Sequence, residues 1–134
     1  MSLSWSNSDL GERRSQDPEA RLQHARDLAW KALNRRDHTV LEMRRVLERK
    51  RVEPEVAGTV LEELIAGDYL NDARYAHRFA EDRRRLDSWG SERIERKLLS
   101  LGVDRSDVAA ALGEQPAADE RAAAVEILKR RFPE

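Results

Sequence analysis

The side chains that could do acid–base or metal chemistry in this sequence are three histidines, His24, His38 and His77. No two of them have the i, i+4 spacing that places a zinc-binding pair on one helix face. The chain has no Cys, which excludes disulfides, thiolate zinc sites and a cysteine nucleophile. Gly58 and Gly67 are isolated and no Gly-Lys-Ser/Thr occurs, so no phosphate-cradling loop is present. Carboxylates are plentiful but fall on the polar faces of amphipathic segments. These absences point away from an enzyme and imply no metal and no cofactor.

The remaining chemistry is electrostatic. Arg44, Arg45, Arg49, Lys50 and Arg51 form one basic cluster. Arg83, Arg84 and Arg85 form a second, and Arg93, Arg96 and Lys97 a third. Such clusters can hold phosphates, each neutralised phosphate releasing counterions. They can instead be solvated faces with local Glu–Arg pairs worth about 0.2–0.5 kcal/mol each. Phosphate or acidic-protein contact is the favoured reading.

Net charge conceals this pattern, because the 134-residue chain carries only -1 overall. Residues 35–51 hold seven Lys/Arg and three Asp/Glu, whereas 53–72 hold six acids and no Lys/Arg. Residues 74–97 hold eight bases and five acids, and 104–126 six acids and two bases. Basic and acidic blocks alternate. The acidic blocks either keep the surface soluble or meet a basic protein partner.

The chain is 38% charged and 5% aromatic, a composition of helices with wet outer faces and thin cores. No apolar run reaches the ~18 residues of a membrane span. Residues 1–17 lack an apolar period and the apolar centre of a signal peptide, and read as a disordered tail or an expression leader. A cytoplasmic protein is expected.

Six helices must position the clusters. The first opens at Pro18–Glu19, with Leu22, Ala25, Leu28, Ala29, Ala32 and Leu33 as its stripe. The second starts at Thr39, which forms a capping box with Glu42, and buries Val40, Met43, Val46 and Leu47. The third follows Glu53–Pro54, with Val56, Val60, Leu61, Leu64 and Ile65 inward and Gly67 as its left-handed stop. Asn71 or Asp72 caps a fourth helix with Ala73, Ala76, Phe79 and Ala80 inside. Gly90 or Ser91 opens a fifth, with Ile94, Leu98 and Leu101 inside and Gly102 as its stop. Asp104 opens a sixth, with Val108, Ala111 and Leu112 inside. A seventh is expected over about 117–131. Trp30 should cover a seam between helices or units, and Trp89 should fill the corner between the fourth and fifth helices. Base stacking is the weaker reading for both, since no second exposed aromatic completes a platform.

Advancing by 51 residues maps the first three helices onto the next three. Ala25 falls on Ala76, Ala29 on Ala80, Arg45 on Arg96, Leu47 on Leu98, Val52 on Val103 and Leu61 on Leu112. Met43 pairs with Ile94, Glu53 with Asp104, and His38 lands on Trp89. The matches concentrate on inward stripes, as expected if one small core is built twice. The expected organisation is a three-helix repeat over 18–67, a second over 68–113, and the first helix of an incomplete third over 114–134.

The segment Gly67-Asp68-Tyr69-Leu70-Asn71-Asp72-Ala73-Arg74-Tyr75-Ala76 resembles the motif G-Y-L-D-D-x-R-F-A, with one residue inserted or the Gly displaced. Gly90-Ser91-Glu92-Arg93-Ile94 and Leu98 through Gly102-Val103 resemble G-x-x-R-I…L…K-G-V. Together with the repeat, these motifs make residues 19–131 similar to RecX, the family of bacterial regulatory proteins that modulate the RecA recombinase. The resemblance implies an all-α, elongated, curved, right-handed array of three tandem repeats. It implies binding in the groove of the RecA filament on single- or double-stranded DNA, suppression of ATP hydrolysis and strand exchange, and restraint of the SOS response in DNA repair and recombination. It also implies no catalysis, no membrane and a monomer. Tyr69, Leu70, Asp72, Tyr75 and Ala76 then set the junction between repeats, with Asp72 as a helix cap. Arg93 is either an ion-pair partner within the fold or a filament contact.

Two departures stand out. The third repeat stops after its first helix, which implies reduced filament affinity. Arg51 occupies the place of the Gly that matches Gly102, which implies a different end for the second helix. The alternative reading is a helical DNA-binding module, such as a transcription regulator. Its recognition helix should carry base-reading residues near the N-terminus, and residues 39–43 and 90–94 offer little beyond Arg93.

Overall fold

The computed structural model describes residues 17–113, and all their regular structure is helical: α1 (Pro18–Arg35), α2 (Val40–Arg49), α3 (Pro54–Ala66), α4 (Asp72–Asp87), α5 (Ser91–Ser100) and α6 (Arg105–Ala111). The expected tail or leader, residues 1–17, lies outside the described residues except for Asp17, and the expected seventh helix lies outside them altogether.

Local chemistry explains the helix starts. Asp17 accepts a hydrogen bond from the Ala20 amide at 2.8 Å, and Pro18 takes the first position of α1. Thr39 and Glu42 form the expected capping box: the Thr39 hydroxyl accepts from the Glu42 amide at 3.1 Å and Glu42 accepts from the Thr39 amide at 3.0 Å. Asn71, not Asp72, caps α4 by accepting from the Arg74 amide at 2.9 Å. Asp104 caps α6 and is held below the usual carboxylate range by the Ser106 hydroxyl and amide.

The chain forms two compact units. The first contains, among the described residues, 17–38 together with 43–70. In it α3 packs on α1, whose buried residues are all alanines: Ala25, Ala29 and Ala32. Met43, Leu47, Ala57, Val60, Leu61, Leu64 and Leu70 complete the buried apolar set, and His38 is buried as well. The second unit contains residues 39–42 and, among the described residues, 71–113. Its core is Ala76, Ala80, Ile94, Leu98, Val103, Val108, Ala111 and Leu112, with Tyr75, Phe79, Trp89 and Leu99 packed against it.

The 51-residue period holds in three dimensions. Both ends of α2 and α5 are 51 residues apart, as are the starts of α3 and α6. Two expected core residues face outward instead. Ile65 is 48% exposed because Ala57, Val60, Leu61 and Leu64 already form the inward stripe of α3. Ala73 is exposed on the first turn of α4.

Helix ends supply two corrections. Gly67 is not the left-handed stop of α3; its φ is -85°, and Asp68 takes the left-handed position with φ 68°. Asp68 therefore stands where the motif has its Gly immediately before Tyr69. Gly67 is needed for space: a Cβ there would lie 2.8 Å from the Tyr69 ring. Arg51, in turn, does not alter the end of α2. It adopts φ 66°, as Gly102 adopts φ 89° after α5. The Val52 amide donates to the Leu47 carbonyl at 3.0 Å, and the Val103 amide to the Leu98 carbonyl at 3.1 Å. The Arg51 and Gly102 amides donate to Glu48 and Leu99. Both ends are Schellman motifs, with or without glycine.

The left-handed position therefore carries a steric cost at Arg51 that glycine would remove. Arg51→Gly is expected to stabilise the fold by roughly 0.5–1 kcal/mol in urea titration. Gly102→Ala is expected to destabilise it by roughly 2–4 kcal/mol, since overpacking is added to backbone strain. Its Cβ would meet Leu41 Cβ at 2.6 Å.

Candidate functional site

The basic clusters separate into two kinds once partners are assigned. Arg44, Arg45 and Arg49 project from α2 away from buried Met43 and Leu47, and all three are exposed, as are Lys50 and Arg51 at its end. Arg96 and Lys97 project from α5 away from buried Ile94 and Leu98. None of these seven makes an ion pair among the described residues. Arg45 and Arg96 are the two that coincide under the 51-residue period.

The other cations have work inside the second unit. Arg83 Nη1 pairs with Asp87 Oδ2 at 2.7 Å, and its guanidinium lies 5.5 Å from the Phe79 ring and 5.9 Å from Trp89. Arg84 Nη2 donates to the Leu112 carbonyl at 3.3 Å and to Ser91 Oγ at 3.4 Å. It thereby satisfies the C-terminal end of α6. Arg85 makes a surface pair with Asp82 at 3.2 Å and stays largely exposed. Arg93 stacks on Trp89 with its guanidinium carbon 3.9 Å from the ring centroid.

Trp89 fills the expected corner, meeting Phe79 edge-on at 5.8 Å, while Phe79 stacks on Tyr75 at 6.1 Å. The start of α5 is thus held by an arginine on an indole, where α2 uses a capping box. The equivalent positions are Glu42 and Arg93, His38 and Trp89.

Trp30 has a partner that spacing did not reveal. Tyr69 meets it edge-on at 4.6 Å and an interplanar angle of 78°. Both are exposed, at 38% and 55%, so a second exposed aromatic does exist in the first unit. The edge-on angle leaves no parallel platform for a base. Arg26 and Glu63 were also missed: Nε–Oε1 is 2.8 Å and Nη2–Oε2 2.9 Å, a two-pronged pair that raises the arginine and lowers the carboxylate.

Of the junction motif, Leu70 and Ala76 are buried, Tyr75 rests on Phe79, and Tyr69 covers Gly67. Asp72 does cap a helix, but not its own: Oδ1 accepts from the Val40 amide at 2.9 Å, the first amide of α2. Burial pushes this carboxyl above the usual aspartate range, against the pull of that hydrogen bond, and the nearby charges of Asp107 and Glu42 push the same way.

Among the described residues, no group of three or more His, Asp or Glu could hold a metal ion, and no helix is long and apolar enough to cross a membrane. Residues 25–64 match the description "RecX, first three-helix domain", and residues 71–112 match "RecX, second three-helix domain". The chain belongs to the RecX family. Regulatory protein RecX of Trichlorobacter lovleyi is 35% identical over 105 residues, which is 78% of this chain and 68% of that protein. Regulatory protein RecX of Pseudomonas fluorescens is 36% identical over 89 residues, 66% of this chain and 57% of its own length. The Amycolatopsis mediterranei RecX is 29% identical over 115 residues, 86% of this chain and 66% of that protein. The chain thus spans little more than half of the Pseudomonas RecX protein.

Two measurements separate the two kinds of cation. Arg93→Ala should lower stability by roughly 0.5–2 kcal/mol by removing the cation from the indole face, whereas Arg96→Ala should stay within about 0.5 kcal/mol of the parent. Asp72 also predicts a pH effect. Its folded state binds a proton more tightly than the unfolded chain, so its contribution to stability falls as pH rises from the ordinary aspartate range through the raised folded value. The stability of Asp72→Asn relative to the parent, from urea titrations at successive pH values, should therefore become more favourable across that window. A constant difference would contradict it.

Proposed function

We propose that this chain regulates a RecA-type recombinase by binding the RecA–DNA filament and inhibiting ATP hydrolysis and strand exchange. The observation that carries the reading is the tandem match to the first and second RecX domains over residues 25–64 and 71–112. The physical means is occupancy. Exposed arginines on α2 and α5 hold phosphates or carboxylates of the filament, and no covalent chemistry is required. Arg44, Arg45, Arg49, Lys50, Arg51, Arg96 and Lys97 are the contacts proposed on exposure. Arg83, Arg84, Arg85 and Arg93 are offered to a filament only while they also serve the second unit. The protein acts as a monomer in the cytoplasm, and Tyr69, Leu70, Asp72, Tyr75 and Ala76 shape the link between repeats.

The test is the rate of ATP hydrolysis by RecA on single-stranded DNA with and without the protein. Inhibition together with co-sedimentation on filaments is expected; neither effect at saturating protein would overturn the proposal. For the electrostatic means, Arg45→Glu/Arg96→Glu should weaken filament binding. It should also flatten the dependence of log K on log salt by roughly 0.7–0.9 for each phosphate that is no longer neutralised. An unchanged slope would assign both arginines to solvent.

A further inference from the structure

The two units differ most where their third helices end. Helix α3 runs through Ala66, but α6, which starts in register with it, stops after Ala111, and Gly113 turns left-handed with φ 80° at the position matching Glu62. The last turn and a half of α3, with Leu64 buried, has no counterpart in α6. Among the described residues, His77, Glu81, Arg84, Arg85 and Ala111 line an open groove of about 500 Å³ beside the end of α6.

The first unit shows what belongs in such a place. His77, Glu81 and Ala111 sit 51 residues after Arg26, Trp30 and Val60. Arg26 holds the Glu63 carboxylate through two hydrogen bonds, Trp30 carries the Tyr69 ring, and Val60 is buried. The occupant of the first unit's equivalent region is therefore an acidic segment with buried leucines: Glu63, Leu64, Tyr69 and Leu70. The eight residues that follow Gly113, EQPAADER, contain no leucine. The groove is also more basic than its counterpart, with Arg84 and Arg85 where the first unit has Leu33 and Asn34.

We propose that this groove on the second unit is a docking site for an acidic, leucine-bearing segment of another protein. A leucine side chain packs on Ala111 and the aliphatic stems of Arg84 and Arg85. A neighbouring carboxylate pairs with Arg85 and His77. Arg84 remains anchored to the Leu112 carbonyl and forms the floor. The proposal goes beyond the RecA reading and stands without it, because the internal repeat specifies the ligand chemistry.

The probe is a synthetic peptide of the natural occupant's sequence, VLEELIAGDYLND, residues 60–72 of this chain. Titrated into the ¹⁵N-labelled full chain, it should give saturable amide shifts centred on His77, Glu81, Arg85 and Ala111. A peptide carrying Leu64→Asp and Leu70→Asp should bind at least tenfold more weakly. In the protein, Arg85→Glu should weaken the parent peptide at least threefold. Ala111→Phe, which fills the groove, should abolish binding, and Arg85→Glu keeps the test decisive if that variant fails to fold. Shifts elsewhere, or equal binding of the two peptides, would overturn the proposal. So would cross-peaks in the free protein between residues 114–134 and His77 or Ala111, since the chain's own segment would then be the occupant.

Discussion

A fully buried hydroxyl organises the second unit. Thr39 has no exposed surface, and its Oγ donates to the Leu101 carbonyl at 2.7 Å while accepting from the Glu42 amide. Leu101 is the C-cap residue of α5, so the first turn of α2 satisfies a carbonyl at the end of another helix. Asp72 adds the reciprocal service, accepting from the Val40 amide. Leu41 then lies against Gly102, where any side chain would collide with it. Four neighbouring residues thus explain a capping box, a half-buried carboxylate and an obligatory glycine. Each polar group here is buried or half-buried, so removing one partner would leave another unsatisfied, at a cost of about 1–3 kcal/mol.

The backbone repeats more faithfully than its side chains do. Three helices end in the same Schellman geometry, and the left-handed position is Arg51 after α2, Asp68 after α3 and Gly102 after α5. The next residue in each case is apolar or aromatic (Val52, Tyr69 and Val103) and donates its amide to Leu47, Leu64 and Leu98 respectively. The recurring element of the motif is thus the leucine carbonyl and the residue that closes over it. Glycine lowers the strain of the turn but is compulsory only where Leu41 stands in the way.

The same contrast decides which features could be read from sequence. The helices and the period were legible because inward alanines and leucines recur with the turn of a helix, and capping residues announce the starts. Ile65 and Ala73 were misplaced because a periodic stripe is wider than the face the neighbouring helix covers. Ion pairing and aromatic contact were not legible where partners are distant in sequence: Arg26 with Glu63, Trp30 with Tyr69, Arg84 with Leu112. The basic clusters illustrate the limit best. Composition identifies eleven cations as equivalent, yet Arg83, Arg84 and Arg93 are engaged by Phe79, Trp89, Asp87 and Leu112 inside the second unit.

A repeat that preserves its core while replacing its surface divides labour without changing fold. Buried positions 25 and 76, 29 and 80, 43 and 94, 47 and 98 keep apolar residues at the same places. On the outside, Glu42 becomes Arg93, Leu33 becomes Arg84 and Val46 becomes Lys97, so among the described residues only Arg45 and Arg96 persist as matched exposed cations. The third helices diverge further, α3 being long and acidic and α6 stopping six residues earlier in register. Such a division needs several surfaces of different chemistry on one scaffold. Core alanines make that possible, because they hold the helices close whatever charge the opposite face carries. The two units are therefore alike in what holds them together and distinct in what they can hold.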